Sequence, residues 1–382
     1  MAAADDAAAS MRAAVKRLSF GVTAEERREA AGEVARLARS DERRKRLLPE
    51  LGVVPPLVSM LADERTDSGA RLAAPPPLHE LARGTHRNKV HIVKAGLLKK
   101  LPRLMEDKDL LRSQQLALLL LSISSLVNTD FPLSSSELLP FLVAALSADD
   151  VPAETKLSYL AALRNLSTKL EHVRAVVSSG AVRALVALVS LDKEKATTSK
   201  AALSVLGDLA STSAAARKAM AEDDAAPRAL VEAVTWHERA RCQENATYLV
   251  MVLAHDGGAA MRREMRRLGA VQALLEVSLL GTPLAQRRAA KVLLWFKDDD
   301  GQSRIRAHSG PRMEVGAAAS CRGGGGGDDG GEAQDCRNAV DKIVKQSLDR
   351  NMKSILRRAT ASVDLTNVKL LATSSSSKSL PC

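Results

Sequence analysis

The segment ERRKRLLPELGVVPPLVSML, residues 42–61, predicts two short helices joined at a glycine. A basic helix is predicted over residues 43–48, and Gly52 ends it because glycine adopts a left-handed backbone conformation without a Cβ penalty. The second helix carries an apolar stripe formed by Val53, Val54, Leu57, Val58 and Leu61. Helices this short cannot bury their apolar faces alone, so the segment must pack against similar neighbours.

The same arrangement of two short helices recurs along the chain. In each repeat a long helix ends in a pattern similar to L-x-x-L. The third position of that pattern falls at intervals of 44, 45, 40, 43, 44 and 43 residues. These landmark residues are Arg36, Glu80, Ser125, Asn165, Asp208, Val252 and Trp295. A period of this size is the sequence signature of armadillo or HEAT solenoids. Stacked units present an elongated surface rather than a catalytic pocket.

The long helices have recognisable ends. They are predicted over residues 24–39, 69–83, 110–127, 153–168, 196–211, 239–255 and 283–297. Thr23 and Glu26 have the spacing of a capping box, and Thr282 precedes a proline at the first helical position. Gly96, Gly180 and Gly269 take the place of Gly52 in later units.

Three consecutive prolines, residues 75–77, fall in the middle of the second long helix. Proline in a helix interior costs roughly 3 kcal/mol, because it removes a backbone donor and clashes with the preceding turn. We therefore expect this helix to restart at the prolines and to be regular only over residues 77–83.

Composition supports an all-helical chain with a mixed surface. Aromatic residues make up only 2% of the sequence, and alanine and leucine are strong helix formers. The net charge of +11 permits acidic partners. Basic residues are nevertheless spread along the helices next to acidic ones, as in EERR at 25–28, which favours a solvated surface over a nucleic-acid footprint.

Cysteine usage and hydropathy indicate a cytoplasmic or nuclear protein. Cys242, Cys321, Cys336 and Cys382 have the spacing of neither a disulfide framework nor a zinc site. The longest apolar run, residues 116–127, is too short to span a bilayer, and no secretory signal is recognisable. The sequence contains no catalytic grouping or phosphate loop, so neither catalysis, a cofactor nor a metal ion is expected.

The predicted organisation has five parts. They are a disordered N-terminus over 1–10, a solenoid of about seven repeats over 11–300, a glycine-rich linker over 301–337, a basic amphipathic helix over 338–359 and a serine-rich disordered tail over 360–382. Three alternatives stay open for the basic helix: it caps the solenoid, docks on an acidic membrane or a calmodulin-like partner, or is disordered. Thr360 follows two arginines and is a candidate phosphorylation site.

Four segments carry a resemblance to a known family. They are NKVHIVKAG at 88–96, LAALRNLS at 160–167, CQENA at 242–246 and DKIVKQS at 341–347. They resemble plant armadillo repeat proteins, similar to the repeat region of U-box ubiquitin ligases. The resemblance implies an all-α right-handed superhelix in which the third, long helix of each repeat lines a concave surface for extended peptides or partner domains. The sequence has fewer residues ahead of its first repeat than a U-box needs, so a ligase module is not expected.

Importin-alpha is another armadillo protein that the repeats resemble. In that relative, tryptophan and asparagine side chains one helical turn apart on successive long helices bind basic peptides. The positions four residues before the landmarks are Gly32, Pro76, Leu121, Ala161, Ser204, Tyr248 and Lys291. They form no tryptophan–asparagine ladder with the landmarks. The function of a nuclear import receptor is therefore not expected.

The armadillo resemblance implies a peptide-binding groove along the long helices. Its candidate residues are Arg36, Glu80, Ser125, Asn165, Asp208, Tyr248, Lys291 and Trp295. Asn165 offers both a donor and an acceptor, which the main chain of an extended peptide requires. The alternative is that these are ordinary solvated residues at helix ends.

The favoured function is a non-catalytic adaptor or scaffold that binds a protein or an extended peptide as a monomer, with a link to ubiquitin signalling implied by the resemblance. The alternative is a regulatory subunit held on an acidic membrane or nucleic acid by its basic surface and C-terminal helix.

Overall fold

The computed structural model describes residues 2–63, 68–133, 136–189 and 195–307, with the side chains of 2–8 and 298–307 left aside. Regular secondary structure in these ranges is helical throughout. The helices are α1 (Ala2–Phe20), α2 (Ala24–Ser40), α3 (Glu42–Glu50), α4 (Val54–Leu61), α5 (Ser68–Leu72), α6 (Pro75–Ala82), α7 (His86–Lys94), α8 (Leu97–Leu104), α9 (Lys108–Arg112), α10 (Gln114–Ser124), α11 (Leu138–Ser147), α12 (Ala153–Leu166), α13 (Leu170–Ser178), α14 (Ala181–Ala187), α15 (Ala196–Thr212), α16 (Ala214–Ala221), α17 (Ala226–Val234), α18 (Ala240–Asp256), α19 (Gly258–Arg267), α20 (Ala270–Leu280) and α21 (Pro283–Ala307).

The chain divides into two units, residues 1–274 and 275–382, and the structure describes the second unit only as far as residue 307. In the first unit, two short helices and a long one recur in order. The groups are α3–α4 with α5–α6, α7–α8 with α9–α10, α13–α14 with α15, and α16–α17 with α18. One group contains only α11 and α12, because the described residues between 129 and 137 form bends and turns.

The long helices of the first unit pack side by side. Contacts join α2 to α6, α6 to α10, α10 to α12, α12 to α15 and α15 to α18. Their interfaces consist mainly of buried alanine, leucine and valine. Polar contacts cross them one period apart: Gln114 Nε2 donates to Ser158 Oγ at 3.2 Å, and the Tyr159 hydroxyl donates to the Leu111 carbonyl at 3.1 Å. The predicted all-α solenoid is confirmed; its repeat number of seven and its handedness stay predictions.

Helix ends follow the local sequence signals. The capping box at α2 is confirmed, since Thr23 Oγ1 accepts from the Glu26 amide at 3.1 Å and the Glu26 carboxylate accepts from the Thr23 amide. Four glycines adopt the predicted left-handed conformation, with φ of 85°, 92°, 81° and 86° at Gly52, Gly96, Gly180 and Gly269.

The second long helix is broken where the prolines predict it. It stops at Leu72 and restarts at Pro75, so its last segment, α6, begins two residues earlier than predicted. Proline is tolerated there because the first helical residues have no intrahelical acceptor for their N–H groups.

The third long helix, predicted as continuous over 110–127, is instead divided at Ser113. That residue has extended backbone angles, φ −67° and ψ 111°, and its hydroxyl accepts from the Leu116 amide at 3.3 Å. A serine side chain that caps a new helix competes with continuation of the old one. A 3₁₀ turn over Ser125–Asn128 then closes α10.

Two boundaries differ from the predicted ones. Residues 2–10 are helical within α1, where a disordered N-terminus was predicted, because alanine has high helix propensity. Helix α21 of the second unit continues through residues 301–307 of the predicted linker. The remaining linker, the basic helix over 338–359 and Thr360 lie outside the described residues. No helix in the described ranges combines the length and apolar character needed to cross a membrane.

Candidate peptide-binding surface

One stripe of each long helix is left partly exposed by the stacking. On α12, Ala161 and Asn165 are partly exposed, whereas Leu160, Leu163 and Leu166 on either side of them are buried. Equivalent pairs occur on α15 and α18, and at the end of α10, where Leu121 lies in the helix and Ser125 begins the 3₁₀ turn. We call the combined stripe the long-helix surface: Leu121, Ser125, Ala161, Asn165, Ser204, Asp208, Tyr248 and Val252, all of them partly exposed.

Asn165 both contacts a neighbouring repeat and reaches this surface. Its Nδ2 donates to Ser124 Oγ at 3.0 Å, and Ser124, which is fully buried, donates to the Leu121 carbonyl at 2.8 Å. Among the described residues, nothing donates a hydrogen bond to Asn165 Oδ1. One amide hydrogen therefore stabilises the stack, while the side-chain oxygen can accept from a ligand.

Asp208 and Glu80 occupy the same register position but differ in exposure. Asp208 is partly exposed, and its Oδ2 accepts from Arg164 Nε at 2.8 Å. Glu80 is only 7% exposed, and its Oε1 accepts from both Nε and a terminal nitrogen of Arg39, at 3.2 and 3.0 Å. The structure thus places Glu80 in the interface between α2 and α6 rather than on the exposed stripe. Burial also lowers the pKa of the adjacent His79.

Ser125 and Arg36 are both engaged with side chains that the sequence analysis did not single out. Ser125 Oγ accepts from Lys89 Nζ at 2.8 Å and donates to the Ser122 carbonyl. Burial lowers the pKa of Lys89. Arg36 is exposed and donates to Glu33 of its own helix at 2.7 Å.

Tyr248 lies against a residue that the sequence analysis missed. Its Cδ1 is 3.9 Å from the position that a Cβ on Gly207 would occupy, so the ring covers the backbone of α15. Gly207 could have been found in the sequence. A glycine inside a predicted helix costs about 1 kcal/mol relative to alanine and often marks close packing.

The two remaining candidates belong to the second unit. Lys291 Nζ lies 5.5 Å from the ring centroid of Trp295, one helical turn further along α21. This is a cation–π contact that positions the ammonium group over the indole face.

Two of the predicted groove residues bind arginines on the preceding repeat, and the sequence did not indicate these partners. Arg164 lies 44 residues before Asp208, and Arg39 lies 41 residues before Glu80. The period predicts that such residues fall on neighbouring helices, but it does not specify which pairs touch. In the described part of the chain, no group of three or more His, Cys, Asp or Glu side chains is placed to hold a metal ion.

No protein-family model matches this chain, and no curated protein matches it. Solved structures do. An engineered protein from the Northeast Structural Genomics Consortium gives a TM-score of 0.56 at 24% identity, over 80% of this chain and 75% of its own. That likeness shows a shared fold and nothing about function.

Two designed armadillo repeat proteins are also similar, each with a TM-score of 0.39 at 19% identity, over 75% of this chain and 99% of their own. One was solved with a (KR)4 peptide, and the other was designed for modular peptide recognition. The fold class of this chain is an armadillo-type α-solenoid, as its own three-helix groups indicate.

Proposed function

We propose that this chain is a non-catalytic binding scaffold that holds an extended segment of a partner protein along the long-helix surface. The observation that carries the proposal is the in-register stack of α10, α12, α15 and α18, which leaves one partly exposed stripe across four repeats. A surface of this kind suits an extended chain better than a small molecule.

The chemistry of the stripe supports a peptide ligand. Asn165 Oδ1 can accept from a main-chain N–H, and Tyr248 offers an aromatic face with a polar tip. Apolar and small side chains, Leu121, Ala161 and Ser204, lie between these groups and leave room for ligand side chains.

Charge pairing bears on which peptide is favoured. Glu80 and Asp208 are each bonded to an arginine, so neither carboxylate lacks a counter-charge. We therefore expect a ligand of mixed or neutral composition rather than a run of lysines and arginines.

A peptide selection on the purified full-length chain tests the proposal. Binders from a random library would be measured by fluorescence anisotropy against the wild type and against Asn165→Ala/Tyr248→Ala. Loss of an aromatic contact and a hydrogen bond should weaken binding by about tenfold or more. The matched control is Phe20→Ala/Glu171→Ala, which alters exposed residues on α1 and α13.

Selected peptides should bind the control variant like the wild type. If the library yields no specific binder, or if every binder tolerates the Asn165→Ala/Tyr248→Ala change, the proposed function is overturned.

On the sequence resemblance alone, we further propose that the partner belongs to ubiquitin-linked signalling and that the chain works in the cytoplasm or nucleus. Proximity labelling in the native tissue would compare the wild type with Asn165→Ala/Asp208→Ala. Ubiquitin-system proteins should be labelled by the wild type and depleted with the variant. Their absence from the wild-type set would remove this part of the proposal.

A further inference from the structure

Three equivalent positions are buried on every long helix of the first unit. They follow one another at three or four residues, so they form one strip along the helix. From one helix to the next they are separated by the same intervals as the landmark residues. The strip consists of Ala31, Val34 and Ala38 on α2, Pro75, Leu78 and Ala82 on α6, Leu120, Ile123 and Val127 on α10 and its 3₁₀ turn, Leu160, Leu163 and Ser167 on α12 and its C-cap, Leu203, Leu206 and Ala210 on α15, and Thr247, Val250 and Ala254 on α18.

The same strip is open on α21, the long helix of the second unit. Its residues there are Ala290, Leu293 and Lys297. Ala290 and Lys297 are exposed, and Leu293 is partly exposed. Leu294, which borders the strip, is 61% exposed. A strip that is buried on six helices and open on the seventh indicates that, within the part of the chain that the structure describes, α21 lacks a covering element.

The sequence after residue 307 contains a segment with the length and apolar pattern to cover this strip. The segment is residues 338–359, and its apolar side chains recur at helical spacing: Val340, Ile343, Val344, Leu348, Met352, Ile355 and Leu356. That spacing predicts an amphipathic helix with one apolar side. The apolar stretch from 340 to 356 contains 17 residues, as many as α15 and α18.

The connecting chain is long enough to bring this segment back to α21. Helix α21 ends at Ala307, about 26 Å beyond Ala290 at 1.5 Å per residue. Residues 308–337 are rich in glycine, and a glycine-rich coil of that length spans about 30 Å. The segment can therefore reach the strip within one molecule.

Apolar contact, rather than charge, is the basis on which the two elements fit. Residues 283–297 contain four basic and no acidic residues, and residues 341–358 contain six basic and two acidic ones. Two basic helices repel each other, so the apolar sides must supply the attraction. Lys297 is compatible with such a contact, because a lysine can bury its hydrocarbon stem and keep its ammonium group in water.

We propose that residues 338–359 form a helix that packs its apolar side against Ala290, Leu293 and Leu294 of α21 in the same molecule. Both elements belong to the second unit. The segment thus acts as the covering element that the other long helices obtain from their neighbours. Its basic side remains in contact with water.

Photo-crosslinking of the full-length chain tests this contact. Benzoylphenylalanine would replace Ala290, whose exposure makes the change compatible with folding. After irradiation, mass spectrometry should find intramolecular crosslinks to residues 338–359. The matched control carries the same group at Leu170, which is 71% exposed on α13, and it should give no crosslink to this segment.

Leu348→Asp/Ile355→Asp places two charges on the apolar side of the segment without altering α21. It should lower the crosslink yield from position 290 by about tenfold or more, because a charge is costly to bury. Gln346→Asp/Lys353→Gln makes the same change in net charge on the opposite side of the predicted helix, and it should crosslink like the wild type. Raising the salt concentration to about 0.5 M should preserve or increase the yield, since salt screens the repulsion between the two basic helices.

Intramolecular crosslinks to residues 338–359 that disappear with Leu348→Asp/Ile355→Asp would support the proposal. Absence of these crosslinks, crosslinks between two molecules instead, or full yield with Leu348→Asp/Ile355→Asp would each overturn it. A yield that falls steeply with salt would show attachment by charge and would equally overturn it. None of these results bears on the long-helix surface.

Discussion

The side-chain amide of Asn165 donates a 3.0 Å hydrogen bond to the hydroxyl of Ser124, which lies 41 residues earlier on the preceding long helix. Ser124 is fully buried, whereas Asn165 is partly exposed. A single asparagine therefore connects two repeats and also presents its oxygen on the surface where we propose that a peptide binds.

We expect Asn165→Ala to lower the free energy of unfolding by about 1 kcal/mol, because Ser124 Oγ loses its donor. Denaturant unfolding of the wild type, Asn165→Ala, Ser124→Ala and the double variant forms a double-mutant cycle. A coupling energy near zero would show that this hydrogen bond contributes nothing to the stack.

Asn88 is expected to matter more for stability than Asn165. Its Nδ2 donates at 3.0 Å to the carbonyls of both Lys45 and Leu81. Pro49, four residues after Lys45, has no N–H to offer that carbonyl. The amide of Thr85, four residues after Leu81, bonds to Ala82 instead.

Asn88→Ala leaves both carbonyls without this donor in a buried environment, so it should cost about 2–4 kcal/mol. Thermal or denaturant unfolding measures the change, and Asn128→Ala, which alters an exposed asparagine, is the control. A loss no greater than that of the control would contradict the proposed role of Asn88 in joining α3, α6 and α7.

The Arg39–Glu80 pair should contribute more than the Arg36–Glu33 pair on the same helix. Glu80 is 7% exposed, so Arg39→Ala leaves a buried carboxylate without its partner, at a cost of about 1 kcal/mol after allowing for the exposed arginine. Arg36→Ala breaks an exposed pair and should change stability by about 0.3 kcal/mol or less.

Adding Glu80→Gln to Arg39→Ala should recover part of the loss, since a neutral amide is less costly to bury than a carboxylate. The denaturant midpoints of Arg39→Ala, Arg36→Ala and Arg39→Ala/Glu80→Gln would measure these differences in stability. Equal costs for Arg39→Ala and Arg36→Ala would show that burial of Glu80 does not strengthen its ion pair.

Because Tyr159 is buried, the folded protein should lose stability at alkaline pH. Burial raises the pKa of its hydroxyl far above the ordinary value of 10.0. Above pH 10 the unfolded chain releases this proton while the folded chain keeps it, so the unfolded state binds fewer protons and stability falls as pH rises. The slope from this residue is about 1.4 kcal/mol per pH unit.

Tyr159 and Tyr248 are the two tyrosines of the chain, so Tyr248→Phe leaves Tyr159 as the source of phenolate absorbance. That absorbance should appear together with unfolding, as measured by circular dichroism, and not before it. Phenolate formation at pH 10 in the folded variant would contradict the burial of Tyr159.

Local sequence was sufficient for most helix boundaries. The Thr23–Glu26 capping box and the glycine that ends α3 act within a few residues, so their effect can be predicted without knowing the rest of the fold. The division of the third long helix at Ser113 was missed, because a serine can either continue a helix or cap a new one.

Consecutive residues were enough to predict the repeat and its period of about 43 residues, because helical periodicity and glycine turns are local properties of the chain. Packing between repeats, in contrast, sets which carboxylate is buried: Glu80 lies against Arg39, while Asp208, at the same register position, stays partly exposed beside Arg164. The reason is physical: side-chain pairing between repeats depends on the offset and rotation of neighbouring helices, which a period in the sequence does not specify.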